Sequence, residues 1–265
     1  MQKTVMVLTA HPDDAEMFAG GTIARMADDG ARVLIVIATD GRKGSFEHDS
    51  DSLARMRAQE AVRAAALLGA EPPILLGHPD LELDRLAPGV LREQLVRLIR
   101  THRPDVSMCE DPLNARDLHP DHRAVAWAAA EAIAYASLPL LHPEHLAEGL
   151  QVHGVLEKYY YASGPAANKI VDTTGTIDRK LAALAEHRSQ VVSLVESMRR
   201  QMVLAGLDWN SIMGEAAADP MAIMSLRLRA SSAEVGQAAG VQYAEAFRYE
   251  RFSVAIEKML ERMGK

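Results

Sequence analysis

A three-layer α/β fold, with a mostly parallel sheet between helices and an α-rich C-terminal extension, is predicted by three observations. Short apolar runs alternate with amphipathic segments through the first half of the chain. Those runs are almost uninterrupted in their apolarity, as strands buried on both faces are. After about residue 170 this rhythm stops and longer helical segments take over. A length of 265 residues admits one large domain or two small ones. We place an α/β domain at 1–170 and an extension at 171–265 that lies on the core or on a neighbouring subunit.

The elements follow in order. Val5 to Ala10 is nearly all apolar and reads as the first strand. A helix from Gly21 to Asp28 stops at Asp29-Gly30, and Val33 to Ala38 is the second strand. Ser52 to Leu68 is a helix ended by Gly69, followed by a short strand from Ile74 to Leu76. Val90 to Arg100 is a helix that stops before Arg103-Pro104; Val106 to Cys109 is the fourth strand and Val155 to Tyr161 the fifth. Asp172 to Gly175 is a turn or cap cluster, and one long helix is expected from Thr176 to Leu204 on the periodicity of Leu181, Leu184, Val191, Val192 and Leu194. Gly206 to Pro220 reads as a loop. The segment from Tyr243 to Phe252 is mixed, and the tail from Ser253 sets Ile256, Met259, Leu260 and Met263 on one helical stripe.

Composition excludes several roles. A net charge of -7 and a pI near 5.8 offer no general attraction to polyphosphate, and clusters such as Arg42-Lys43 are too short for a basic stripe. Nucleic acid is not an expected partner. No apolar run approaches the ~20 residues of a bilayer span. Met1 to Thr4 lead into six apolar residues rather than a secretory core, and Cys109 is the only cysteine, so the expected setting is a reducing cytoplasm.

Ligands of an open parallel sheet bind beyond the carboxyl ends of its strands. There the sequence sets His11-Pro12-Asp13-Asp14 after strand one, His78-Pro79-Asp80 after strand three, and Asp117-Leu118-His119-Pro120-Asp121-His122 after strand four. Imidazole and carboxylate together suit a borderline divalent cation, and a catalytic zinc site uses three protein ligands with water in the fourth position. Two histidines and one aspartate meet that count. Taken singly, each triplet reads as a turn with a helix cap; the repetition on two strands, with a second histidine at 122, favours chemistry.

Ala10 to Glu16, Gly20-Gly21-Thr22, Thr39-Asp40-Gly41 and His119 to His122 together resemble the LmbE/PIG-L family of metal-dependent N-deacetylases. The resemblance covers residues 4 to about 135, with weaker echoes at Lys180 to Gln190 and Tyr243 to Phe247. It implies a Rossmann-like fold and hydrolysis of the acetamide of an N-acetylglucosamine-type small molecule by metal-activated water. It further implies His11, Asp14 and His122 as ligands of Zn²⁺, with Fe²⁺ or another divalent metal also accepted. Asp13 is then the general base, and His119 the protonatable group beside the scissile carbonyl. Arg57 and Asp80 match residues that hold the substrate's polar groups, although each also reads as a solvated charge. Trimers or hexamers are implied as well.

One departure is Asp117, where members acting in thiol pathways carry tyrosine. An amidase of a glucosamine-linked thiol or its conjugate is nevertheless an alternative. From another class, a non-catalytic nucleotide-binding module is the rival, but residues 10 to 15 hold no glycine for a phosphate turn. His78 reads as substrate-side or structural, and His102, His142, His145 and His153 as surface or core-edge residues. Cys109 reads as a small buried hydrophobe, and Arg42 to Asp51 as a lid or an ordinary loop.

Overall fold

The computed structural model describes residues 2–252 and 254–264, so Met1, Ser253 and Lys265 lie outside the described residues. Five parallel strands, β1 (Thr4–Thr9), β2 (Arg32–Thr39), β3 (Ile74–His78), β4 (Val106–Glu110) and β5 (Glu157–Tyr161), form most of one sheet. Two further strands, β6 (Lys169–Asp172) and β7 (Ala244–Glu250), complete the order β3-β2-β1-β4-β5-β7-β6, with β7 antiparallel to both neighbours. β1 pairs with β2 on one side and β4 on the other. Strand order therefore reverses at β1, and a crevice opens at its carboxyl end.

Alternation along β1 explains why its sequence is apolar throughout. Val5 and Val7 meet the helices α1 (Asp14–Asp28) and α2 (Ser50–Leu68) through Ala19, Ile23, Ala64 and Leu68. Met6 and Leu8 face the opposite layer, α3 (Val90–His102) and α4 (Pro120–Tyr135), through Leu95, Ile99, Val125 and Ala129. Successive side chains point to opposite faces, so both must be apolar when helices cover both.

Beyond a short helix α5 (Pro143–Ala147), the C-terminal part forms a third apolar cluster from α6 (Ile177–Glu186), α7 (Arg188–Leu204), α8 (Trp209–Met213) and α9 (Pro220–Ala239). The boundary set at 170 falls inside β6, and β7 lies between β5 and β6 in the same sheet. The final helix α10 (Val254–Arg262) leaves Ile256, Met259 and Met263 exposed. Among the described residues, no helix is long and apolar enough to cross a membrane.

Four expectations are corrected. The single helix over 176–204 is broken at His187, which is fully buried 3.4 Å from Glu16 Oε2. The backbone N–H and hydroxyl of Ser189 donate to Glu60 at 3.0 and 2.6 Å, so a carboxylate from α2 starts a new helix where periodicity alone sees continuity. The 206–220 loop contains α8, capped by Asp208 and anchored by buried Trp209. The mixed segment is β7, in which only Phe247-Arg248-Tyr249-Glu250 alternates apolar with polar, because buried Glu245 shares the face of Phe247. Finally, α1 begins at Asp14 rather than Gly21. Gly20 and Gly21 lie inside it because other elements approach there; a methyl group on Gly21 would sit 2.8 Å from Thr173.

Candidate active site

The turn after β1 directs two adjacent carboxylates in different directions. Asp13 has φ 116°, a left-handed conformation costing a non-glycine residue about 1–3 kcal/mol. Its side chain does not cap α1; instead Oδ1 lies 2.6 Å from Arg57 Nη2. The Asp14 carboxylate accepts from the His11 backbone N–H at 2.7 Å and the Thr9 hydroxyl at 3.1 Å.

Asp14 then meets the two histidines. His11 Nδ1 is 3.1 Å from His122 Nε2 and 3.3 Å from Asp14 Oδ2, while His122 Nε2 is 3.5 Å from Asp14 Oδ1. Bonds of about 2.0–2.1 Å to one tetrahedral ion would separate its ligand atoms by about 3.3–3.4 Å. The two rings approach different oxygens of Asp14 at close to that spacing, so the three residues could hold a divalent cation once one carboxylate oxygen turns to it.

The opposite ring nitrogens are held by carboxylates, the usual device for orienting metal-binding imidazole. His122 Nδ1 is 2.7 Å from Asp117 Oδ2, and His11 Nε2 is 3.2 Å from both Asp121 Oδ2 and Asp80 Oδ1. Asp121, fully buried, also accepts from the backbone N–H groups of Leu81 and Leu83 at 2.6 and 3.1 Å. This ties the β3 loop to the start of α4.

The electrostatics are those of a site that holds positive charge. Burial draws His11 and His122 down, but their carboxylate neighbours prevail, carrying His11 well above the ordinary histidine range and His122 to about 10. Burial likewise pushes Asp14 up, yet the two rings hold it well below the carboxylate range. For Asp13 burial outweighs Arg57, raising the group to about 6. Glu110, buried at the end of β4, is pushed up to about 8 by burial and then by Asp14. His119 is lowered by burial and by the charges of His11 and His122, and its Nδ1 accepts the Asp121 backbone N–H at 3.3 Å.

All seven residues singled out from the sequence, His11, Asp13, Asp14, Arg57, Asp80, His119 and His122, line one cavity of about 240 Å³, with Met17, Phe18, Leu81 and Leu194 among its apolar walls. Arg57 and Asp80, like the others, are already engaged by the protein. Arg57 donates to Asp13 and to the carbonyls of Pro12 and Gly41 at 2.5 and 3.0 Å. Asp80 accepts the Lys43 backbone N–H at 3.0 Å. Within 42–51 the loop thus rests on Asp80, and Gly44 borders the cavity.

The third triplet reaches the cavity only through Asp80, because His78 Nε2 pairs with Gln94 on α3 at 2.8 Å. His142, Glu144 and His145 form another imidazole–carboxylate group, but Arg100 and Glu93 occupy the two ring nitrogens of His145. The sequence reading missed the roles of Asp117 and Asp121, for which the signal was a carboxylate within five positions of a candidate ligand. Carboxylates rather than backbone amides surround the turn after β1, which does not suit a nucleotide phosphate.

The fold is a doubly wound α/β sheet with an imidazole–carboxylate centre, a candidate metal site, at its switch point. Residues 6–133 match the PIG-L family, described as GlcNAc-PI de-N-acetylase. The chain is 33% identical over 191 residues to diacetylchitobiose deacetylase of Thermococcus kodakarensis, covering 71% of this chain and 70% of the relative. It is 28% identical over 241 residues to 1D-myo-inositol 2-acetamido-2-deoxy-alpha-D-glucopyranoside deacetylase of Rhodococcus opacus, covering 72% and 82%. The structure of N,N'-diacetylchitobiose deacetylase from Pyrococcus horikoshii, in complex with an inhibitor, superposes with a TM-score of 0.76 at 29% identity over 94% of this chain and 84% of that one. This chain belongs to the PIG-L family of deacetylases.

Proposed function

We propose that the protein is a divalent-metal-dependent deacetylase that removes acetyl from an N-acetylglucosamine-type small molecule. The observation that carries this reading is the convergence of His11 Nδ1, the Asp14 carboxylate and His122 Nε2 within 3.1–3.5 Å of one another, beside Asp13 and His119 in one cavity. His11, Asp14 and His122 would hold the ion, zinc by the chemistry of the donor set, and iron(II) is also compatible. When bound, such an ion acidifies water and polarises a carbonyl.

The remaining work falls to the chain. Asp13, fixed by Arg57, takes a proton from the attacking water and is available to deliver it to the departing amine. His119 is neutral near pH 7 and accepts at Nδ1, so its Nε2–H is free to donate to the oxygen on which charge accumulates. Because His119 is the N-cap of α4, the helix terminus adds to the forces that keep its ring uncharged. Arg57 and Asp80 act on the substrate from positions already anchored, Asp80 through the lone pairs left by His11 and Lys43. A single buried Cys109 supports a reducing compartment, and the apolar stripe on α10 supports a homo-oligomer.

The test is a screen of N-acetylated sugars with detection of the released amine, alongside elemental analysis of the purified protein. Metal near one ion per chain and amine release from an N-acetylglucosamine derivative are expected. A metal-loaded protein that releases no amine from any such derivative would refute the reading.

A further inference from the structure

We infer that Glu110 is a fourth protein ligand of the cation, approaching the His11–Asp14–His122 centre from the side away from Asp13 and His119. This rests on the metal-dependent reading of that centre and adds a residue to it.

Glu110 stands where a charge is least expected. It ends β4 and is 3% exposed, and neither carboxylate oxygen has a hydrogen-bond partner among the described residues. A carboxylate buried in that state costs free energy until it is paired. Neighbouring donors are committed elsewhere. Arg248 Nε and Nη2 donate to Asp111 at 2.8 and 2.9 Å, and Arg123 donates to the Leu118 carbonyl. The hydroxyl of Tyr161, which pairs with Glu110 across the sheet, donates to the Leu8 carbonyl at 3.3 Å.

What the carboxylate meets is the cation centre. One oxygen of Glu110, one of Asp14 and one ring nitrogen of His122 lie within 4.8 Å of one another. Asp117 holds His122 Nδ1 at 2.7 Å, so Nε2 is the nitrogen left for a cation, and it is the same atom that lies 3.1 Å from His11 Nδ1. Glu110 therefore borders the centre already described rather than a separate one. Two atoms bound to one ion at about 2.0–2.1 Å are at most about 4.2 Å apart. A side-chain movement of less than about 1 Å closes the difference.

The cavities show the side of approach. Asp13 and His119 line the cavity of about 240 Å³, whereas Glu110 lines another of about 410 Å³ with Asp111, Asn114 and Asp117. His122 borders both, so its ring stands between them. A carboxylate arriving from the second cavity raises the number of donors and leaves the face towards Asp13 open, where the attacking water must give up its proton.

The test compares the unsubstituted protein with Glu110→Gln and Glu110→Asp, by chelator competition with zinc and cobalt(II) and by thermal denaturation with and without metal. Glu110→Gln should bind either ion at least about tenfold more weakly, the lower end of what losing even an outer partner of a ligand costs. Without metal it should melt at a higher temperature than the unsubstituted protein, because an amide replaces an unpaired buried charge. Saturating metal should then raise its melting temperature by less. A glutamate with only a structural role predicts the opposite sign in the metal-free protein. Glu110→Asp keeps the charge but withdraws it by one methylene, so it should lose most of the same affinity. The visible bands of bound cobalt(II), which intensify as donors are lost, should strengthen in both variants. Unchanged affinity in Glu110→Gln would overturn the proposal, and so would full affinity in Glu110→Asp, which would show that charge alone suffices. Two ions per unsubstituted chain would also refute it, since Glu110 would then serve an ion of its own. If the unsubstituted protein binds no metal, the reading of the whole centre fails; if it binds one ion and Glu110→Gln binds as tightly, only this ligand is lost.

Discussion

Asp13 and Arg57 form a buried ion pair, 2.6 Å between Oδ1 and Nη2, across the gap from the end of β1 to the middle of α2. Both side chains are nearly inaccessible, at 5% and 2% exposure. The same guanidinium donates to the carbonyls of Pro12 and Gly41. It thereby holds two strand-end loops while fixing the carboxylate that stands next to Asp14. A planar fork is needed for this, and lysine cannot reproduce it.

Asp13→Asn should retain metal and lose about 10²- to 10⁴-fold in turnover, the range of a missing general base. Burial raises the Asp13 carboxyl to about 6, so the basic form is lost as pH falls through that value. The acid limb of kcat/KM is therefore expected at or below pH 6, lower when a cation stabilises the carboxylate. Its disappearance in Asp13→Asn is the check, and loss of bound metal in that variant would sink the assignment.

His122 and His119 lie one helical turn apart but should separate on dialysis. His122→Ala is expected to lose metal, while His119→Ala keeps it and slows turnover. Asp117→Ala, which removes the carboxylate 2.7 Å from His122 Nδ1, should weaken metal affinity by about 10–100-fold. Competition with a fluorescent chelator measures all three; a metal-free His119→Ala with a loaded His122→Ala would exchange the roles.

Cys109 should be inert in the native protein. Its thiol is fully buried, and burial, reinforced by Glu110 and Asp111, pushes its pKa well above the ordinary range. Thiolate is the reactive form, so a chromogenic disulfide reagent at pH 8 should label no thiol in the folded chain and one after denaturation. Rapid labelling under native conditions would contradict this placement of β4.

The α10 stripe predicts self-association. Ile256, Met259 and Met263 are exposed on one face, an arrangement that favours a cover. Light scattering at micromolar concentration should give a mass above the 28.9 kDa of one chain. A truncation after Phe252 should move the mass towards one chain while metal binding persists. A monomeric full-length protein would end the proposal.

The sequence by itself determined the parallel half of the sheet, because Val5 to Leu8 and Val33 to Ala38 are apolar at every position only if helices cover both faces. It also determined which strand ends meet at the candidate site, since His11, Asp13, Asp14, His119 and His122 are grouped in two short motifs and line one cavity. Only the tertiary structure decided the rest, where the partners are far apart in the chain. Glu60 and Ser189 break a helix that is continuous by periodicity. Phe247 and Tyr159 join an unrecognised strand to the core. Asp121 belongs to the His119 motif by position, yet its carboxylate turns to His11, 110 residues away. Local propensity depends on neighbours along the chain, whereas a carboxylate's partner depends on which burial leaves each polar group satisfied, and that is settled only when the layers close.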